Sequence, residues 1–490
     1  MNAYPDTVHY QGLNRPRHIE ANAWDLEVEG AIPPEIDGAF FRAVPDPRWV
    51  PRRKDDVILS ADGAINKIEF RDGRVNYALR YVRTARFVAE EQAGRSLFGA
   101  YRNPYTNDPI VAGVDGTVAN TTPIWHAGRL FMTKEDGLPY QIDPDTLATI
   151  GKWDFDGALR SETVTAHARV DPATGELFFF GYEADGLASR KVAYGIADAS
   201  GKLVREQWFD APYCAFMHDF ALTAEHAIFL AFPTTADLDR LKAGGPHWIH
   251  EQDRESWIGI MPRYGSVDEL RWVQGPVGVH AYHVMNAFTQ GTQVVVDMCL
   301  ANTNLIPFIV EDSGLDIQLT GGLTRWTIDL AAATPTVDEH VLGPFGEMPR
   351  ATEADMGRAY RRGWYLSIDP EGGKPLHNGP AGLAFNLLLR VDLGNGTFEA
   401  MPLGQDRAIN EVVHIPADDP THGGWLMAMV DRELIPDHYD QEIWIIEADE
   451  VAKGPIAKVK MPVVTREQVH GNWVPRAVLD TAVTRSETVA

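Results

Sequence analysis

Gly175-Glu-Leu-Phe-Phe-Phe-Gly181 is a short aromatic run held between two glycines. It is too short for a helix, which usually needs ~10–12 residues, and its side chains favour extended backbone. The same signature recurs at Gly128-Arg-Leu-Phe-Met-Thr-Lys134, His226-Ala-Ile-Phe-Leu-Ala-Phe232, Thr292-Gln-Val-Val-Val-Asp297 and Gly424-Trp-Leu-Met-Ala-Met-Val430. Turn-forming pairs punctuate the runs, and Asp72-Gly73, Ala127-Gly128, Thr174-Gly175 and Gly394-Asn-Gly396 read as hairpins. Helical periodicity is confined to Arg83–Leu97, Leu238–Ala243 and Glu353–Arg362. The fold class expected is all-β.

The chain has 490 residues and no visible linker. Single cores usually stop growing near ~250–300 residues, but a closed array grows by adding units that pack only on their neighbours. Many short strands without a linker therefore suggest one β-propeller domain over residues 1–490, with a chain of β-sandwich domains as the competing architecture.

Composition excludes several functions. With 69 acidic against 44 basic residues the net charge is −25, which disfavours nucleic acid and anionic lipid as partners. The start, Met1-Asn-Ala-Tyr-Pro-Asp6, lacks the pattern of a secretory signal, and no apolar run approaches a membrane span. Cys214 and Cys299 do not form a metal-type pair, and a cytoplasmic location is the expectation.

Four of the 16 histidines stand out by context: His167 in Thr165-Ala-His167-Ala-Arg169, His218 in Met217-His218-Asp219-Phe220, His283 in His283-Val-Met-Asn286-Ala287-Phe288, and His470 in Val469-His470-Gly471-Asn-Trp473. They are separated by 51, 65 and 187 residues, close to one, one and three blade lengths, which would bring equivalent blade positions together on a propeller axis. Taken alone, any one histidine is more often a packed structural residue than a ligand.

These motifs, with Asp62-Gly63-Ala-Ile65, Tyr81-Val-Arg83-Thr84, Asn120-Thr121, His126-Ala-Gly128-Arg129, Glu347-Met-Pro349-Arg350 and Glu411-Val-Val-His-Ile-Pro416, occur in the order found in the carotenoid cleavage oxygenases. The chain resembles that family nearly end to end, and within it the bacterial lignostilbene dioxygenases. The resemblance implies a seven-bladed β-propeller, with a loop and helix dome over the metal-bearing face. It also implies one Fe(II) per chain on His167, His218, His283 and His470, without a carboxylate ligand. Neutral imidazoles suit Fe(II), and four of them leave coordination positions open for dioxygen.

By the same resemblance Glu135, Glu347 and Glu411 accept the outer ring N–H of the ligands and offset the ion's charge. Glu353, six residues past Glu347, is an alternative to it, and in so acidic a chain the commonest fate of a glutamate is a solvated surface charge. His280 reads as a cavity or packing residue, and His126 and His414 as structural.

The resemblance further places Tyr101 and Lys134 against a substrate 4-hydroxyl. A nearby ammonium favours phenolate over phenol, whose ordinary pKa is near ~10. The phenolate can push electron density along the conjugated system into the C=C bond. Neighbours in a strand point to opposite faces, so Lys134 and Glu135 can both face inward only at a strand end or bulge. Leu59, Phe216, Phe288 and Phe308 are candidates for the apolar pocket wall.

The activity implied is cleavage by O2 of the central C=C of a 4-hydroxystilbene into two aromatic aldehydes. Carotenoid or apocarotenoid cleavage is the alternative, and a metal-free binding propeller is the reading from another class. The charged insert Thr234–Trp257, with Asp237, Asp239, Arg240, Lys242, Glu251, Asp253, Arg254 and Glu255, is a poor membrane-dipping surface and favours the phenolic substrate. A homodimer is a further expectation of the resemblance.

Overall fold

The computed structural model describes residues 3–312, 317–376, 384–419 and 421–483. The expected strands are all present, as Arg129–Thr133, Leu177–Tyr182, His226–Ala231, Gln293–Ala301 and Trp425–Ile435. The turn at Asp72-Gly73 is a two-residue hairpin loop, with Arg71 opposite Arg74 and both turn residues left-handed, at φ of 51° and 72°. That is the twist a right-handed strand pair needs. Among the described residues the strands form seven sheets of four to six strands and one three-stranded sheet.

The chain forms two compact units. The first comprises Met1–Gly157, Asp369–Leu388 and Ala400–Ala490. Its five-stranded sheet runs Ala21–Ala23, Arg74–Tyr81, Gly63–Arg71, Gly38–Pro45 and Gly471–Pro475. The last of these pairs antiparallel with Gly38–Pro45, Phe41 lying opposite Asn472 and Arg42 opposite Gly471. Phe40 enters one core with Ile68, Phe70, Met427 and Ile443, whereas Phe41 enters another with Ile65, Leu130 and Met132. Successive side chains of one strand thus feed cores on both faces of the sheet, which is why every residue of Gly38–Pro45 is buried. Truncating such an aromatic side chain costs about 3–5 kcal/mol.

The second unit comprises Ala158–Ile368 and Leu389–Glu399. It holds three four-stranded antiparallel sheets whose first strands are Arg169–Val170, Phe220–Leu222 and His280–Gln290. Ile228, Ile258, Val294, Val296 and Trp326 build the core shared by the second and third of them. The Thr234–Trp257 insert contributes Thr234–Thr235 and Ile249–His250 to the small sheet, completed by Val310–Glu311.

Two helical expectations hold, as Ala85–Ala93 and Leu238–Lys242. The third fails. Glu353–Arg362 gives only the 3-10 turn Glu353–Asp355, followed by the strand Arg362–Ser367. The cause is tertiary: Asn286 Nδ2 donates to the carbonyls of Asp355 and Arg358, and Asn286 Oδ1 accepts from Gly357 N. Those backbone groups are taken by a side chain, and Gly357 is left-handed at φ 76°.

Candidate metal centre

Three of the four histidines lie just before the end strand of their sheet. His167 is in the turn before Arg169–Val170, His218 precedes Phe220–Leu222, and His470 precedes Gly471–Pro475. His283 lies within an end strand, at a bulge. Ala281 is opposite Leu300 and Val284 opposite Met298, so three steps on one strand meet two on the other. Bulges beside functional sites re-aim a side chain in this way.

The imidazole rings of His167, His218 and His283 face one another edge-on, with centroids 4.6, 5.1 and 5.1 Å apart. His167 Nε2 and His218 Nε2 are 3.0 Å apart. Two ligands at right angles on one ion, with bonds of ~2.1 Å, reach about this separation. Candidate ligand atoms of His167, His218, His283 and His470 all lie within 4.8 Å of one another, and the group can hold a metal ion.

Carboxylates set the tautomers of two of these rings. His283 Nδ1 lies 2.6 Å from Glu347 Oε2, and His470 Nδ1 lies 2.9 Å from Glu411 Oε1. A carboxylate can only accept, so each Nδ1 carries the proton and each Nε2 presents its lone pair. A four-imidazole donor set of this kind fits a divalent transition metal, Fe(II) among them.

Glu347 reaches His283 through a second bulge. Glu347 is opposite Leu366 and Arg350 opposite Trp364, and Met348 between them is left-handed at φ 54°. Glu353 instead pairs with Arg350 at 3.4 Å, its side chain 70% exposed. The geometry therefore favours Glu347 over Glu353 as the carboxylate beside His283. Glu135 is buried, just beyond the strand Arg129–Thr133. Lys134 precedes it and is also buried, and with the strand ended at Thr133 the two are not held to opposite faces.

The Lys134 ammonium lies 5.6 Å from the centre of the Tyr101 ring. Burial raises the Tyr101 phenol above its ordinary pKa, against the opposing pull of Lys134. Burial by itself would depress Lys134, but Tyr101, Glu135 and Asp136 reverse this and hold the ammonium above its usual value. At neutral pH the two groups are therefore an O–H donor and a cation.

The wall candidates take different places. Phe216 stacks on Trp248 at 5.0 Å and lies 5.6 Å from the His218 ring. Leu59 is half-buried in the 3-10 turn Ile58–Ser60, whose Leu59 carbonyl accepts from Asn120 Nδ2. Phe308 is half-buried in the turn held by Asn304, which in turn accepts from Tyr282 Oη. Phe288 lies against Tyr360 and under the Arg325 guanidinium.

His280 is fully buried and contacts Thr234 Oγ1 through Nδ1 at 3.1 Å. Burial, His250 and His218 hold its pKa well below the ordinary value, so it stays neutral. His414 Nε2 contacts the Gly423 carbonyl at 2.8 Å, a structural role.

Sequence reasoning misses the residues that brace the four-histidine cluster. Buried Arg42 donates to the carbonyls of Glu411 and Val469, and Thr165 Oγ1 accepts from His167 N. No local pattern marks a buried arginine whose partners lie more than 360 residues away. Asn286 was visible only as part of a motif. Among the described residues no helix is long and apolar enough to cross a membrane.

Known proteins place this geometry. Residues 14–475 match the family described as retinal pigment epithelial membrane protein. Isoeugenol monooxygenase of Pseudomonas nitroreducens is 40% identical over 475 residues, 95% of this chain and 97% of that protein. Lignostilbene-alpha,beta-dioxygenase isozyme III of Sphingomonas paucimobilis is 37% identical over 492 residues, 98% of this chain and all of that protein. The crystal structure of Pseudomonas brassicacearum lignostilbene dioxygenase superposes with a TM-score of 0.91 at 36% identity, covering 96% of this chain and 99% of that one. The chain thus has the seven-bladed β-propeller fold of that family. The chain belongs to the iron-dependent carotenoid cleavage oxygenases, the family of the retinal pigment epithelial membrane protein, and is an oxygenase.

Proposed function

We propose that the protein cleaves, with O2, a C=C bond conjugated to a 4-hydroxyphenyl ring, and that 4-hydroxystilbenes are its substrates. One Fe(II) is held by His167, His218, His283 and His470, with Glu135, Glu347 and Glu411 behind the ligands. The observation that carries the reading is the buried Lys134 ammonium beside the ring of half-buried Tyr101. A retinoid-like hydrocarbon gives such a pair nothing to bind, whereas a phenolate oxygen satisfies both.

The iron, when bound, supplies the place where dioxygen is held and activated. The rest belongs to the chain. Tyr101 donates its O–H to the substrate oxygen, and Lys134 stabilises that oxygen as phenolate. The negative charge delocalises toward the distal alkene carbon and makes the C=C bond electron-rich. Apolar side chains around the alkene exclude water. One alkene and one O2 give two carbonyl products, so no external reductant is needed.

A second reading is supported by the 40% identity to isoeugenol monooxygenase. A propenylphenol carries the same 4-hydroxyphenyl alkene on a shorter chain, and the Tyr101–Lys134 pair would serve it equally. The cytoplasm as location and a homodimer as assembly remain parts of the proposal.

The test is O2 uptake and aldehyde formation by the iron-loaded protein with 4-hydroxystilbene, its 4-methoxy analogue and isoeugenol, for the native chain and Lys134→Met. Turnover of 4-hydroxystilbene with none of the methoxy analogue is expected. Lys134→Met should lower kcat/KM at least ~100-fold, about 3 kcal/mol of transition-state stabilisation. It should also move the rising limb of the pH profile upward, because removing the ammonium raises the bound phenol's pKa. Equal turnover of the methoxy analogue would sink the phenolate reading, and turnover of isoeugenol alone would move the substrate.

A further inference from the structure

We infer that the Asp219 carboxylate, with Arg169, is the positioning device that sets three of the four ligands in register for the ion. Asp219 directly follows His218 and is almost wholly buried. Its Oδ1 accepts from Phe220 N at 2.8 Å and its Oδ2 from Val284 N at 2.9 Å. Arg169 Nη2 lies 2.7 Å from both oxygens. Val284 directly follows His283, and Arg169 is two residues past His167. One carboxylate therefore touches the chain within two residues of three ligands, drawn from the end strands of three sheets.

Edge strands leave backbone groups without a ladder partner, and His280–Gln290 is the end strand of its sheet, paired only with Gln293–Ala301. Its Val284 N–H needs an acceptor from elsewhere, and Asp219 supplies it. The acceptor could have been any polar group. A carboxylate with two oxygens can hold Phe220 N and Val284 N separately while a guanidinium closes the remaining sites. Thr165 makes a second strap: its Oγ1 accepts from His167 N and donates to the His218 carbonyl at 3.4 Å. Moving any one of the three ligand-bearing segments breaks a charge-assisted bond at the node.

Such a node does not bring new charge to the metal, since Asp219 and Arg169 neutralise one another. Its effect is preorganisation: the imidazoles are already gathered before the ion arrives, so binding spends less on ordering them. This inference rests on the four-histidine reading given above.

The experiment measures metal, not turnover. Apo protein, Arg169→Met and Asp219→Asn are loaded with Co(II), and the visible spectrum, the rate of metal loss to a chelator and the apo melting temperature are recorded. Arg169 is chosen because its side chain is 23% exposed and its removal leaves Asp219 able to hold both N–H groups. Asp219→Asn tests the carboxylate itself. The expected result is metal release ~10–100-fold faster in both, the range seen when supporting partners of metal ligands are removed. An altered Co(II) spectrum and an apo melting temperature within a few degrees of native should accompany it. Arg169→Lys should recover part of the slow release.

Unchanged release rates in folded variants would overturn the inference. So would loss of fold in both variants, which would make the node a fold determinant. Failure of the native chain to take up Co(II) would instead remove the four-histidine reading beneath it.

Discussion

His283 with Glu347 and His470 with Glu411 solve one problem with different backbones. In the first pair a single oxygen does everything: Glu347 Oε2 accepts from His283 Nδ1 at 2.6 Å and from Met348 N at 2.6 Å. In the second the work is divided, Glu411 Oε1 taking His470 Nδ1 and Oε2 taking Gly471 N, each at 2.9 Å. The first geometry is reached by bulges on both strands and a left-handed methionine. The second is held from behind by Arg42, which grips the carbonyls of Glu411 and Val469. A tautomer can thus be fixed either by local backbone distortion or by a distant buried cation.

The comparison is broken most severely by removing either histidine. His283→Ala and His470→Ala should each reduce iron to below about a tenth of an equivalent per chain and abolish cleavage, read by elemental analysis and O2 uptake on protein whose circular dichroism is native. Retention of iron by either would remove that histidine from the ligand set.

The glutamates separate the two corners. Glutamine keeps one accepting oxygen, which suffices at position 347, where one oxygen takes both donors. At position 411 the amide nitrogen must face an N–H. Glu411→Gln should therefore weaken iron binding ~10–100-fold and Glu347→Gln by less, as competitive chelator titration would show. The reverse order would mean that charge, and not donor geometry, governs both corners.

A smaller effect is expected at Met348. A β-branched residue tolerates left-handed backbone poorly, so Met348→Val should cost about 1–2 kcal/mol in denaturant unfolding, with Met348→Gly close to native. Smallest of all is Glu353→Gln. Its exposed 3.4 Å contact with Arg350 predicts no measurable change in iron content or stability.

What was legible in the sequence follows from which interactions are local. Short aromatic runs and two-residue turns such as Asp72-Gly73 specify strands and hairpins by themselves, and they were read correctly. The four clustered histidines and Glu347 stand in short motifs in family order, which is what singles them out. The segment after Glu353 misled because its helical pattern is overridden by Asn286, almost 70 residues earlier in the chain. Arg42 and Asp219 could not be weighed at all, since their value lies in carbonyls and amides that only the folded chain brings to them. The strand ends at Thr133, so Lys134 and Glu135 are not bound to opposite faces of a regular strand, and both are buried.

The pairing of Gly38–Pro45 with Gly471–Pro475 has a consequence for biosynthesis. His470 immediately precedes the second of these strands, its carbonyl accepting from Ala43 N and its own N–H donating to the Thr121 carbonyl. On a ribosome the partner strand waits, unpaired along one edge, until more than 400 further residues have been made. Contacts so remote in sequence form late. Under the four-histidine reading, the His470 imidazole joins the other three only after this late pairing has formed.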